Sequence, residues 1–260
     1  MTLRENLSNL FKYRWLLQLL VERDLKVKYR RSVLGYFWSI LNPLLMMIIL
    51  TIVFSTVFRF DIPNYPVYLL AGQLIYSFFA EATSMALGAI LDGAALIKKV
   101  YLPKYIFPLS RVLSSFTSIL LSLCALFFVM IITGVEFHLT LLLLPLAMIY
   151  ILIFSIGIGL IMSAGVVFFR DLKYLYTVFL TALNYITPIF YPVNIVPPEY
   201  KTLVLYNPLY SFVTFFRQVT IYGQWPAGEL HLQCCGYAFL ALLLGMYLLK
   251  KYQKDFILYI

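Results

Sequence analysis

An all-α integral membrane protein is the fold class this sequence predicts, on three observations. Of its 260 residues, 63% are apolar and 12% charged, and the mean hydropathy of +0.90 lies outside the range of globular chains. Several long runs carry no charge at all. The 20 Lys and Arg gather in short clusters that flank those runs. At about 20 residues per crossing, the chain has room for about six spans and little else. A single membrane domain over 1–260 follows.

The elements are predicted in chain order. In 3–31, Leu3, Leu7, Leu10, Phe11, Trp15, Leu17 and Val21 share one helical face, with Glu5, Asn9 and Lys12 away from it, as in an amphipathic helix lying on the membrane interface. Arg14 and Gln18 interrupt that stripe, although Arg14 can snorkel. RDLKVKYRR (23–31) follows, and its Arg23, Lys26, Lys28, Arg30 and Arg31, grouped around Asp24, suit anionic headgroups. The runs 36–58 and 67–91 are long enough to cross, and the second carries a single acid, Glu81. A bare carboxylate at bilayer depth costs about 2.5–3.5 kcal/mol, so Glu81 is expected to face protein or water. It either lines a pore or serves as a hydrogen-bonded structural residue. The runs 112–135 and 139–169 are also spans, the latter so long that it must tilt, bend at Pro145 or extend beyond the hydrocarbon. The run 231–249 closes the series.

Charge placement supplies the rest. Eight Lys and Arg precede residue 36, four lie in 92–111, two in 170–173 and three in 250–254. The positive-inside bias then sets both termini and these connectors in the cytoplasm. Between Lys173 and Lys250 the chain must cross twice, which makes 174–187 a sixth span. The Pro-rich stretch 188–229 then lies outside or dips back into the membrane. Its apolar pieces are too short to span, and backbone at membrane depth needs protein or a water-filled cavity beside it. Re-entrant helices next to a cavity are the expectation.

Composition also argues against other classes. The net charge of +9 sits beside apolar runs, where lipid accounts for it, so nucleic acid is not an expected partner. Cys124, Cys234 and Cys235 lack zinc or disulfide spacing. No compact signal peptide opens the chain. His138 and His231 are isolated, no catalytic constellation is visible, and no metal site is expected.

The residue order in RDLKVKYRRSVLGYFWSILNPLLMMIILTIVFS (23–55) resembles the opening signature of ABC-2-type permeases that export bacterial surface polysaccharides such as O-antigen, teichoic acid and some capsules. Arg23, Asp24, Lys26, Tyr29, Ser32, Leu34, Gly35, Trp38 and Pro43 carry it. VVFFRDLK (166–173), TPIFYP (187–192) and YNPLY (206–210) occur in the family's order, so the resemblance covers essentially the whole chain. It implies a homodimer in the bacterial cytoplasmic membrane with a channel between the two copies. It also implies an interface helix at the N-terminus, re-entrant helices at 188–229 and two cytoplasmic ABC ATPase subunits.

This chain has no Gly-Lys dipeptide and so no phosphate-cradling G-x-x-x-x-G-K-[ST] loop. It is expected to bind no cofactor, with ATP and Mg held by the partner. On charge alone LIKKVYLPKYIFPLSR (96–111) reads as an ordinary positive-inside loop. In the light of the resemblance, 94–107 becomes a coupling helix in an ATPase groove, with Ile97, Lys98, Lys99, Val100, Tyr101, Leu102, Pro103, Lys104 and Tyr105 as the contact set. Pro103 and Pro108 would mark its breaks. Arg170 and Asp171 match the family motif and are expected to pair locally or to meet the ATPase. For a sugar chain, aromatic faces and phenolic hydroxyls are suitable contacts. The candidates are Tyr36, Phe37 and Trp38 at the inner mouth and Tyr185, Phe190, Tyr191, Tyr206 and Tyr210 toward the outer gate, with Arg217 as a gate residue or interfacial anchor. The implied cargo is a lipid-linked polysaccharide, its diphosphate drawn to 23–31. Export of a drug or small lipid, a membrane-embedded transferase of lipid-linked sugars, a channel and a scaffold remain as alternatives.

Overall fold

A computed structural model describes residues 12–56, 62–100 and 102–259. Leu3, Leu7, Leu10 and Phe11 of the expected interface helix, and Tyr101 of the connector, lie outside the described residues. Among the described residues the chain is helical throughout, and five helices are long and apolar enough to cross a membrane.

Helix α1 (Arg14–Lys28) packs along α5 (Ile106–Thr133). Its inward side is Leu20, Asp24 and Leu25, whereas Trp15 is exposed. The expected stripe through Trp15 and Val21 is therefore rotated, because Asp24 turns inward to meet an arginine of α5. Arg31 and Gly35 take left-handed φ values of 62° and 49°, with the Gly35 amide donating to Ser32 Oγ at 3.2 Å. This tight reversal delivers the chain through a 3-10 turn (Gly35–Phe37) to α2 (Trp38–Thr56). Pro43 lies inside α2 and lacks the N–H that would reach the Ser39 carbonyl. Ser122 Oγ of α5 donates to that carbonyl instead, at 2.7 Å. The helix interruption thus becomes an interhelical bond.

Helix α3 (Tyr65–Asp92) starts after Asn64, with Pro66 in its first turn, and forms the centre of the bundle. α2, α5, α6 (Leu144–Phe168), α7 (Leu172–Ile186) and α9 (Pro208–Thr220) all pack on it. α5 begins at Ile106, six residues earlier than the expected 112, because Pro108 sits within its first turn where a missing N–H costs nothing. Pro108 is therefore no break. The helix closes in a Schellman arrangement at Gly134, φ 70°, where the Val135 amide donates to the Met130 carbonyl at 3.0 Å. Pro145, considered above as a bend, instead lies at the start of α6 after a 3-10 turn (Leu139–Leu143).

The expected coupling helix over 94–107 is corrected. Only α4 (Ala94–Ile97) is helical among the described residues of that range before α5; 98–100 and 102–105 are irregular, and Ile106 and Phe107 already belong to α5. Pro103 explains part of this, since a proline disfavours helical backbone at the residue before it.

The segment expected as a span over 174–187 forms α7, 15 residues long. That is about 22 Å, short of the ~30 Å hydrocarbon core. It stops at Thr187 and Pro188, and extended backbone leads to α8 (Pro198–Leu205) and to α9. α9 is a helix within the bundle core, with Leu209, Phe212, Val213, Phe215 and Phe216 buried. Finally α10 (Gly228–Tyr252) runs beside α6, and α11 (Phe256–Tyr259) folds back beneath it. The ends of α3, α6 and α10 that carry the basic clusters close over a second small core of Ile90, Ile97, Phe107, Leu160, Leu249 and Phe256. This is called the basic end below; the opposite end is the far end.

Candidate functional site

At the basic end, Asp24 holds the interface helix. Its side chain is 1% exposed, and its Oδ1 accepts from Arg23 Nη2 (2.8 Å) and Arg111 Nη1 (3.0 Å). Arg111 also reaches Asp92 Oδ2 at 3.3 Å. Placing Asp24 beside lipid headgroups is therefore a correction to make: it is a buried ion-pair partner. Desolvation of the carboxylate is offset by the two arginines that meet its Oδ1, Arg23 and Arg111. Arg23, Lys26, Arg30 and Arg31 remain exposed.

Four residues along α1, Lys28 reaches between the spans. Its Nζ donates to Glu81 Oε1 (2.7 Å) and Ser118 Oγ (3.4 Å), and Ser115 Oγ also donates to Glu81 Oε1, at 3.2 Å. The pair is 34% and 38% exposed, because it stands at one end of a cleft of about 380 Å³. The cleft runs between α1, α2, α3 and α5, and its walls include Trp38, Asn42, Gln73, Ser77, Ser115 and Ser118. Tyr29 OH bonds Ser39 Oγ, and the Tyr29 ring meets Tyr36 at 4.8 Å. Of the inner aromatic candidates, Trp38 thus lines the cleft and Tyr36 packs on its wall through Tyr29, whereas Phe37 is not part of the lining; all three are half-exposed. Glu81 faces both protein and cleft. Reversing its charge (Glu81→Lys) is expected to lower thermal stability, and adding Lys28→Glu to restore it. The truncation Glu81→Gln should cost about 1 kcal/mol, or about 2–4 °C in Tm, since the pair is one-third exposed. A double-mutant cycle on purified protein checks this.

The connector has two faces. Lys98, Lys99 and Val100 are exposed, whereas Ile97, expected as a partner anchor, is buried in the second core. Leu102, Pro103, Lys104 and Tyr105 are half-buried. Lys104 Nζ donates to the Gln253 carbonyl and stands 5.6 Å over the Phe256 ring. Burial lowers the Lys104 pKa, with Asp255 acting the other way. Burial likewise raises the pKa of the Tyr105 phenol. The connector is therefore braced by the C-terminal segment. Arg170 and Asp171 are exposed nearby, Arg170 donating to the Tyr259 carbonyl at 3.5 Å.

At the far end Arg217 is 4% exposed, so the expectation of a gate residue or interfacial anchor is corrected. Its Nη1 donates to Pro188 O (2.8 Å), Nη2 to Ile189 O (2.9 Å) and Tyr68 O (3.1 Å), and Nε to Tyr68 O (3.2 Å). The guanidinium lies 3.4 Å from the centre of the Tyr68 ring. Tyr65 OH and Tyr68 OH donate to the carbonyls of Phe190 and Tyr191 at 2.8 and 3.0 Å. Asn207 caps α9 through Leu209 N and donates to Thr187 Oγ1 at 2.8 Å. TPIFYP is thus a backbone loop tied down by side chains. Phe190 is buried against Phe54, while Tyr185 and Tyr206 are exposed and Tyr191 and Tyr210 half-exposed. The inner and outer aromatic sets stand at opposite ends and do not form one site.

Arg111, Asp92, Gln73 and the serines of α5 were not singled out above. Ser110, Ser114, Ser118 and Ser122 recur every fourth residue, and all are buried. That spacing, which stacks side chains on one helix face, is a legible signal for a polar seam.

The model of the ABC-2 type transporter family matches residues 16–221. The chain is 33% identical over 222 residues to the O-antigen export system permease protein RfbA of Klebsiella pneumoniae, covering 85% of each chain. It is 32% identical over 228 residues to RfbA of Myxococcus xanthus, again with 85% of each covered. The polysialic acid transport protein KpsM of Escherichia coli is 27% identical over 208 residues, 77% of this chain and 79% of that one. With five long apolar helices among its described residues, this multi-pass protein of the bacterial inner membrane belongs to the ABC-2 type transporter family.

Proposed function

We propose that the chain is the permease subunit of an ATP-driven exporter that moves a lipid-linked cell-surface polysaccharide outward. The observation that carries this reading is its likeness, along 85% of its length, to O-antigen export permeases. Two copies form the membrane half, and two ATPase subunits supply ATP and Mg from below. The exposed Lys98, Lys99 and Val100, backed by a connector pinned through Lys104 to the C-terminal segment, make a firm contact surface for the ATPase. A push on it reaches α3 and α5 directly, because the connector joins them. The cationic Arg23, Lys26, Arg30 and Arg31 stand where an anionic lipid carrier is drawn in.

The test is to delete the gene and to purify the protein with the ATPase encoded beside it. Deletion is expected to strip the polysaccharide from the cell surface. Lys98→Glu/Lys99→Glu is expected to lose ATPase association and to fail in complementation. If no nucleotide-binding chain co-purifies and the surface polymer survives deletion, the reading is wrong.

A further inference from the structure

We propose that the cleft between α1, α2, α3 and α5 binds one uncharged sugar unit of the exported polymer, an inference that rests on the export reading above. Packing alone does not account for its lining. Glu81 lies about 16 Å along α3 from the basic end, and Gln73 about 12 Å from the far end, at about 1.5 Å per residue. At that depth polar side chains are costly unless they meet partners. Gln73 Oε1 is nevertheless buried without a hydrogen-bond donor, although Gln73 lines the cleft. Asn42 and Ser77 line it too, and both are exposed. These groups await a ligand that offers hydroxyls.

Charge selects among ligands. Lys28 and Glu81 sit 2.7 Å apart, so Lys28, the one cation of the cleft wall among the described residues, is already neutralised. An anionic phosphate gains little there and meets the carboxylate. A polyol suits the accessible groups: its hydroxyls donate to Glu81, and accept from Lys28, Asn42 and the Gln73 amide nitrogen. The half-exposed indole of Trp38 at the mouth offers a flat face for the C–H side of a pyranose. The volume of about 380 Å³ falls at the lower end of the ~300–1,000 Å³ of small-ligand sites. One ring fits, not a chain. Such a subsite gives the polymer a resting register beside the first span.

The chain has three tryptophans, so a Trp15→Phe/Trp225→Phe protein in nanodiscs leaves Trp38 as reporter, with Trp38→Phe added as the blank. The probe is the host's own surface polysaccharide, released from lipid by mild acid and cut to short oligosaccharides; inorganic phosphate is the comparison. A saturable change in Trp38 emission is expected with the oligosaccharides and none with phosphate. Gln73→Leu, near-isosteric, and Asn42→Ala, on the exposed side, should each weaken binding about tenfold, equivalent to one hydrogen-bonded contact, with unchanged Tm. A response to phosphate alone makes the cleft an anion site and overturns the proposal. Silence with oligosaccharides, in a protein whose deletion strips the polymer, overturns the proposal and leaves the export reading standing. Survival of the polymer after deletion removes both.

Discussion

Replacing Arg217 with leucine is expected to destabilise the protein by about 2–6 kcal/mol, the sum for two buried loop carbonyls that lose their charged donor at about 1–3 kcal/mol each. The carbonyls of Tyr68, Pro188 and Ile189 all accept from this one guanidinium. Leucine leaves the loop oxygens of Pro188 and Ile189 buried without that donor, whereas the Tyr68 oxygen keeps its bond within α3. Arg217→Lys keeps the charge, but a single ammonium cannot reproduce a planar fork aimed at two strands of backbone. It should recover only part of the loss. Gly72 is the complementary test, because a Cβ there would stand 2.6 Å from Arg217 Nη2. Gly72→Ala should therefore weaken the same clamp without touching its charge. Thermal melts followed by size-exclusion chromatography in detergent read all three variants. A Tm for Arg217→Leu within a degree of the parent would show that the clamp contributes nothing.

The second large effect is expected at Gly157, where α6 meets α10. A side chain built there would collide with the backbone of Ala241 and Leu242, and one at Gly245 with the Gly157 carbonyl. Small residues let membrane helices approach until backbone touches backbone. No rotamer change relieves such a clash, since the obstacle is main chain. Gly157→Leu must push the two helices apart, at a cost of about 3 kcal/mol or more. Gly236→Ala, on α10 with nothing within 4 Å, should be neutral. Folded yield from membranes, compared for the two variants, separates steric separation from a general intolerance of substitution.

Much of this architecture is legible in the residues. Long apolar runs with one charge or none mark α2, α3, α5, α6 and α10, and clustered prolines mark the interrupted far end. The misreadings have physical causes. Arg217 looks like an anchor because a lone arginine among prolines has no visible acid to pair with; its partners are backbone carbonyls, which no residue type advertises. Asp24 looks like one charge in a basic run until α5 brings Arg111 against it. The connector has the composition of an amphipathic helix, yet Pro103 and the early start of α5 leave room for one turn only. The cleft depends on four segments meeting, and periodicity within one segment cannot reveal it. The fourfold serine spacing of α5 was its one local sign.

The pinning of α1 carries a consequence for the order of synthesis. Domains form from the N-terminus as the ribosome adds about 5–20 residues per second. α1 emerges first, yet Lys28 waits for Glu81 on the second span and Asp24 for Arg111 on the third. A nascent chain halted before residue 81 therefore carries α1 with neither contact, and one halted before residue 111 still lacks the partner of Asp24. The interface helix, first to be made, is fastened only after the third span has begun to follow it.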